Sequence, residues 1–176
     1  MATSLYDMSV ASYLQILGSV SGILQKAADH AADAGLDLND IVETQLRPDM
    51  FPFRFQVISV WHHSLGAVRG IQAGLFQPPP SLPDLDYAAL QGLVTEATTE
   101  LQALSPEEVN AMAGKDVLFK LTSMEIPFTA ENFVLSFSLP NFYFHATTAY
   151  DILRIQGVPL GKLDFLGAMR AGGAAA

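Results

Sequence analysis

Apolar residues recur at helical intervals from residue 8 to residue 34. Val10, Leu14, Leu17, Leu24 and Ala28 make one stripe, and Tyr13, Ile16, Val20, Ile23 and Ala27 make a second beside it. The combined face is wider than a surface helix needs, so the spacing predicts a first helix buried on much of its circumference. Ser9 or Asp7 suits its start and Gly35 its end. The segment LDLNDIVETQL reads as a short helix or turn. A second helix is predicted over 51–73, with Pro52 in its first turn, Asp49 as cap and Gly74 just beyond its end. FQPPPSLPDLD then holds four prolines in six residues, which forbids a helix and predicts an extended linker. A third helix follows over 86–103, with Leu90, Leu93, Ala97, Leu101 and Leu104 on one face. SPEEVNAM adds a turn with its own capping pattern at Ser105 and Glu108. KDVLFKLTSMEIPFT alternates in the manner of strands and predicts a two-stranded hairpin around Thr122 to Glu125. Thr129 caps a fourth helix over 130–156, interrupted at Pro140 and ended by Gly157, and VPLGKLDFLG reads as a closing loop. The expected fold is all-α, about four helices in a bundle with a short β-hairpin before the last long one. Residues 1–167 are read as one domain and 168–176 as a flexible tail.

Composition sharpens this picture. Of 176 residues, 50% are apolar and only 15% charged, more apolar than a simple bundle surface requires. The excess points to further buried surface, either a subunit interface or an apolar pocket. A net charge of −9 argues against nucleic acid and against anionic membranes, both of which attract clustered Lys and Arg. No cysteine is present, which removes disulfides, thiolate nucleophiles and Cys-based zinc sites together. With no long apolar run and no basic leader in MATSLYDMSV, the expectation is a cytoplasmic protein.

Chemistry centres on four histidines. His30 sits among small and charged residues and reads as solvated. His62 and His63 are sequential, so on a regular helix they point about 100° apart and only one faces the core. Arg54, Ile58, His62, Leu65 and Arg69 form one stripe of the second helix; Phe55, Ser59, His63, Gly66 and Gly70 form another. The pattern does not choose between them. On the fourth helix, Asn141, His145, Thr148 and Ile152 share a face, with Tyr143, Thr147, Tyr150 and Arg154 beside it. Inward side chains of facing helices build bundle sites, so a histidine from each helix can converge. Two imidazoles and an amide hold a divalent metal only weakly, and no Glu or Asp lies one turn from His145. His145 is thus read as a core histidine, a catalytic or ligand-orienting group, or a metal ligand. Phe137, Phe142, Tyr143, Phe144 and Tyr150 around it read as packing or as the wall of a pocket for an aromatic or terpenoid-like ligand. The lone Trp61 reads as an interior or interface residue. Phosphate-loop and nucleophile-elbow patterns are both missing from the sequence.

The segments SLYDMSVASYLQILGSVSGILQKA, LRPDMFPFRFQV and LPNFYFHATTAYDILRIQGVPLGKLDFLG resemble a bacterial and fungal family of domains of unknown function, number nineteen-ninety-three, over residues 4–167. That family lies in the DinB/YfiT-like superfamily. The resemblance implies an up-down-down-up four-helix bundle, often dimeric. It also implies a metal site of one histidine from the second helix and two, four apart, from a later helix. Carried over, His62 and His145 match two of the positions, while the third falls on Asn141 and weakens the metal. Superfamily members include thiol-dependent transferases and isomerases.

Two classes of function remain. One is an enzyme on a small apolar molecule, with a pocket between helices two and four and no redox cofactor. It would catalyse dehydration, isomerisation or cyclisation, for example in secondary metabolism. His62 and His145 would be its acid–base pair, and Asn141, Tyr143, Arg54, Trp61 and Thr148 its ligand contacts. A metal-dependent transferase or hydrolase, with a divalent ion on His62 and His145, is its variant. The other is a non-catalytic homodimeric ligand-binding bundle.

Overall fold

The computed structural model of the chain describes residues 3–82 and 85–171, so residues 172–176 of the expected tail lie outside them. A capping box between Ser4 and Asp7 starts a one-turn helix, α1 (Leu5–Met8). The chain breaks at Ser9, and α2 (Val10–Ala34) runs to Gly35, whose positive φ of 66° ends it. Asp37 caps the short α3 (Leu38–Val42). The second long helix opens after Pro52 without a side-chain cap, so Asp49 is not used as expected. It comprises α4 (Phe53–Trp61), a π-helical turn at His62–Gly66, and α5 (Ala67–Ala73). Gly74, at φ 71°, turns the chain into β1 (Leu75–Phe76). Then come α6 (Tyr87–Gln102), capped by Asp86, and α7 (Pro106–Asn110), with the Ser105–Glu108 capping box. Strands β2 (Asp116–Leu121) and β3 (Met124–Thr129) follow. Thr129 caps α8 (Ala130–Phe133), which passes through a second π-helical turn at Val134–Ser138 into α9 (Leu139–Ile155). The presumed closing loop contains one more helix, α10 (Lys162–Leu166), tied to α2 by the Lys26–Asp164 ion pair and a Gln15 bond to the Leu166 carbonyl.

The protein is mostly helical, with one small sheet. α2 packs on α6 and α9, and α4 packs on the same two helices, so the long elements enclose a continuous apolar core. Both predicted stripes of α2 contribute: Val10, Tyr13, Ile16, Leu17, Val20, Ile23, Leu24 and Ala27 are all buried. Phe142 meets the Tyr13 ring edge-on at 5.1 Å, an arrangement that aromatic quadrupoles favour. β2 and β3 pair antiparallel from Asp116↔Thr129 to Leu121↔Met124, leaving Thr122 and Ser123 as the turn. β1 is the surprise. The stretch from Phe76 was expected only as linker, yet Leu75 and Phe76 pair in parallel with Leu118 and Phe119. Glycine makes this possible: a Cβ on Gly70 would sit 2.9 Å from the Phe76 ring and 3.3 Å from the Leu75 carbonyl. The strand can therefore lie flat on α5.

The two π turns meet at one hydroxyl. Ser138 Oγ lies 2.7 Å from the His63 carbonyl and 2.7 Å from the Tyr13 hydroxyl, and all three groups are buried. A carbonyl only accepts, so Ser138 donates to it and Tyr13 donates to Ser138. Burial pushes the Tyr13 phenol upward, which keeps it a donor. The second π turn lies just before Pro140, where the interruption of the last helix was expected. Proline lacks an N–H and crowds the carbonyl four residues back, and a wider turn ending at Ser138 relieves both before Pro140 enters α9.

Replacing Ser138 with Ala leaves the buried Tyr13 hydroxyl and His63 carbonyl without this shared partner. It is expected to lower unfolding free energy by about 2 kcal/mol in urea denaturation, while Ser138→Thr, which keeps the hydroxyl, retains the bond but overpacks the site.

Candidate functional site

The π turn at His62–Gly66 changes what the sequential histidines do. Both are buried, each only 8% exposed, where a regular helix would have turned one outward. The wider turn redirects the backbone, and β1 with the residues after it folds over the side that would have met solvent. His62 Nε2 lies 2.8 Å from the Gln77 carbonyl, so it carries the proton and donates. Its ring stacks on Phe76 at 4.5 Å. Its Nδ1 packs against Gly66, where a Cβ would come within 2.9 Å. His62 thereby fastens the start of the proline segment to the helix.

His62 and His63 line a cavity of about 190 Å³ with His145 and Asn141 of α9. Phe76 and Phe119, adjacent in the sheet register, close it together with Phe55, Phe137, Pro78 and Pro79. His63 and His145 face each other with rings nearly parallel, 16° apart and 6.0 Å between centres. His63 Nδ1 is buried and has no hydrogen-bond partner among the described residues.

A residue that sequence reading did not single out orients His145. Gln56 is 2% exposed; its Nε2 lies 2.9 Å from the Phe51 carbonyl and its Oε1 2.8 Å from His145 Nδ1. The Phe51 carbonyl demands a donor, so the Gln56 amide must present its oxygen to His145. His145 therefore holds its proton on Nδ1, and Nε2 keeps its lone pair. The signal was present in the sequence: Phe53, Gln56, Val60 and Ser64 form one helical stripe, and all are buried. An amide on such a stripe needs partners.

Burial disfavours charge on these rings. It pushes His145 from the ordinary 6.5 down to about 4. His63 falls to about 3, through burial first and then the neighbouring His62 and His145. Burial lowers His62 as well, against its bond to Gln77. All three are neutral near pH 7.

The other candidate residues divide. Asn141 borders the cavity, and its Nδ2 donates to the Phe137 carbonyl at 2.7 Å. Arg54 lies in the wall of a neighbouring cleft and pairs through Nε with Glu43 at 3.1 Å. Trp61 is half-buried beside His62, outside the cavity wall, with its Nε1 buried and unpartnered among the described residues. Thr148 is buried one turn beyond His145 and donates to the Phe144 carbonyl. Tyr143 is 39% exposed and does not line the cavity. His30 lies far along α2, in a wall with Pro159.

The family model for the domain of unknown function DUF1993 matches residues 5–166. The chain belongs to the DUF1993 family. A similar solved structure is the crystal structure of a DinB family member protein from Shewanella denitrificans. It shares 26% identity with a TM-score of 0.78, over 96% of this chain and 95% of that one. No curated protein matches the chain.

The family resemblance implies a divalent metal on His62 and His145, with Asn141 at the third position, and that set does not fit one: His62 Nε2 and Asn141 Nδ2 are both engaged by backbone carbonyls. His62 Nε2 donates its hydrogen bond to the Gln77 carbonyl, so that nitrogen is not open to a metal. Among the described residues, no three of His, Cys, Asp or Glu gather at ligand spacing.

Two measurements check the site of this DUF1993 domain. Between pH 6.5 and about 5 the unfolded chain binds protons that the buried histidines refuse. Stability is therefore full above 6.5 and falls as pH drops toward the folded values of about 4 and 3. Urea titrations should show a slope of at most ~1.4 kcal/mol per pH unit for each histidine in that window. Gly66→Ala should push His62 off Gln77, seen as faster amide exchange at Phe76 and Gln77.

Proposed function

We propose that this DUF1993 domain is a small-molecule enzyme that uses His145 as its base. His63 takes the neighbouring position that the family resemblance gave to His62. The observation that carries the reading is the relay from the Phe51 carbonyl through Gln56 to His145, which holds one tautomer with an unshared lone pair on Nε2. Such fixing of an imidazole is what a proton acceptor requires. His145 Nε2 takes a proton from an acidic carbon or oxygen of the bound molecule, and the electron pair stays in that molecule. The imidazolium then returns the proton to another atom of the same molecule. Isomerisation fits this step directly. Dehydration fits where the departing hydroxyl is the atom that receives the proton. Neither needs a redox cofactor. Asn141 Oδ1 is placed to accept a hydrogen bond from the ligand. The reading takes the DinB-like bundle to be up-down-down-up. It also includes a cytoplasmic homodimer, for which the exposed Phe51 and Phe144 beside the site supply apolar surface.

The alternative is a binding pocket without catalysis. The low basicity of both imidazoles favours it, because a general base works best when its pKa lies near the working pH.

Phenol and benzene serve as probes, since an apolar cavity of about 150 Å³ already admits benzene. Phenol can donate to Nε2 and should bind the wild-type protein about tenfold more tightly than benzene. His145→Leu should erase that preference while keeping the melting temperature close to wild type. Long-range imidazole nitrogen spectra at neutral pH should show His145 protonated on Nδ1, and Gln56→Leu should convert it to a tautomer mixture. A wild-type His145 protonated on Nε2 would sink the reading.

A further inference from the structure

We infer that the ligand is an apolar carboxylic acid, anchored by Arg54 in a second cleft that adjoins the histidine cavity. The inference rests on the small-molecule reading above and names its ligand class. The second cleft holds about 430 Å³ and shares Phe55 and Pro79 with the cavity of about 190 Å³. Its wall is otherwise apolar apart from Ser81, with Phe51, Ile58, Pro80 and Leu82 prominent, and Arg54 is its one charged side chain among the described residues. A single cation in an apolar wall selects an apolar molecule with one anionic end.

Arg54 retains the means to hold such an end. Glu43 meets Arg54 at Nε, 3.1 Å away, and is 61% exposed where Arg54 is 34% exposed. A surface pair of this kind contributes little stability and yields easily to a better partner. The guanidinium fork presents paired N–H groups that match a carboxylate bidentately. Arg54 and Phe55 are consecutive, so the residue that binds the acid is followed directly by the ring shared between the two spaces. Phe55 stacks on Phe51 at 4.2 Å and stands edge-on to His145 at 5.8 Å. A molecule held at Arg54 and extending past Phe55 and Pro79 directs its far end toward His145.

The test titrates the full chain with 3-phenylpropionate and octanoate, and with their primary amides, by calorimetry and amide chemical-shift mapping. Each acid should bind about tenfold more tightly than its amide. Arg54→Gln should remove that margin without weakening amide binding, and Arg54→Lys should keep part of it. Glu43→Gln, which removes the competing carboxylate, should raise acid affinity several-fold. Equal binding of acid and amide to wild type, or an acid preference that survives Arg54→Gln, overturns the inference. The phenol and benzene comparison separates the two ideas. Phenol preference without acid preference leaves the histidine reading standing and the carboxylate inference refuted. Arg54-dependent acid preference without any His145 response supports the anchor and refutes the base.

Discussion

The Ser138 hydroxyl joins three segments that lie far apart in the chain: the first long helix through Tyr13, the second through the His63 carbonyl, and the last through its own backbone. Its partners fix the direction of both hydrogen bonds, so the three segments meet in one relation. Both departures from regular helix geometry occur beside this contact. Each π turn shifts the backbone ladder by a residue, and Ser138 closes one turn while bonding a carbonyl of the other. A π turn is costly in isolation and persists where tertiary contacts hold it. Here the two turns support each other through a shared side chain.

The histidine cavity is a consequence. With His63 redirected inward and the last helix widened before Pro140, the imidazoles of His63 and His145 come nearly parallel, 6.0 Å apart, in the wall of one cavity. Apolar rings from the sheet and the helices cover it, and the low polarity they impose keeps both imidazoles neutral. Basicity is sacrificed to burial, and tautomer control is gained from Gln56.

Much of the architecture was legible from residue spacing. The two stripes of α2, the glycines that end the long helices, the Ser105 and Thr129 caps and the alternation around Thr122 each carry local physics that survives into the structure. What was not legible depends on contacts distant in sequence. A π turn has no composition of its own, and Pro140 only hinted that the ladder must yield nearby. The burial of both His62 and His63 needed β1, whose partner Phe119 lies more than forty residues on. Asn141 and His145 stood out because they share a face of α9, and Arg54 because it shares a stripe of the second helix with His62. Gln56 was overlooked because an amide carries no titratable signature, although its stripe marked it as internal.

The segment after β1 is built differently from everything it covers. The π turn after α4 and helix α9 supply the histidines, and the helices also supply much of the core, so their residues answer to folding first. Residues 77–82 have no regular structure, and His62 and the prolines hold them over the site. Floor and roof are thus under separate control. Changes in the length or bulk of the roof can reshape the cavity while the core that folds the protein is left alone.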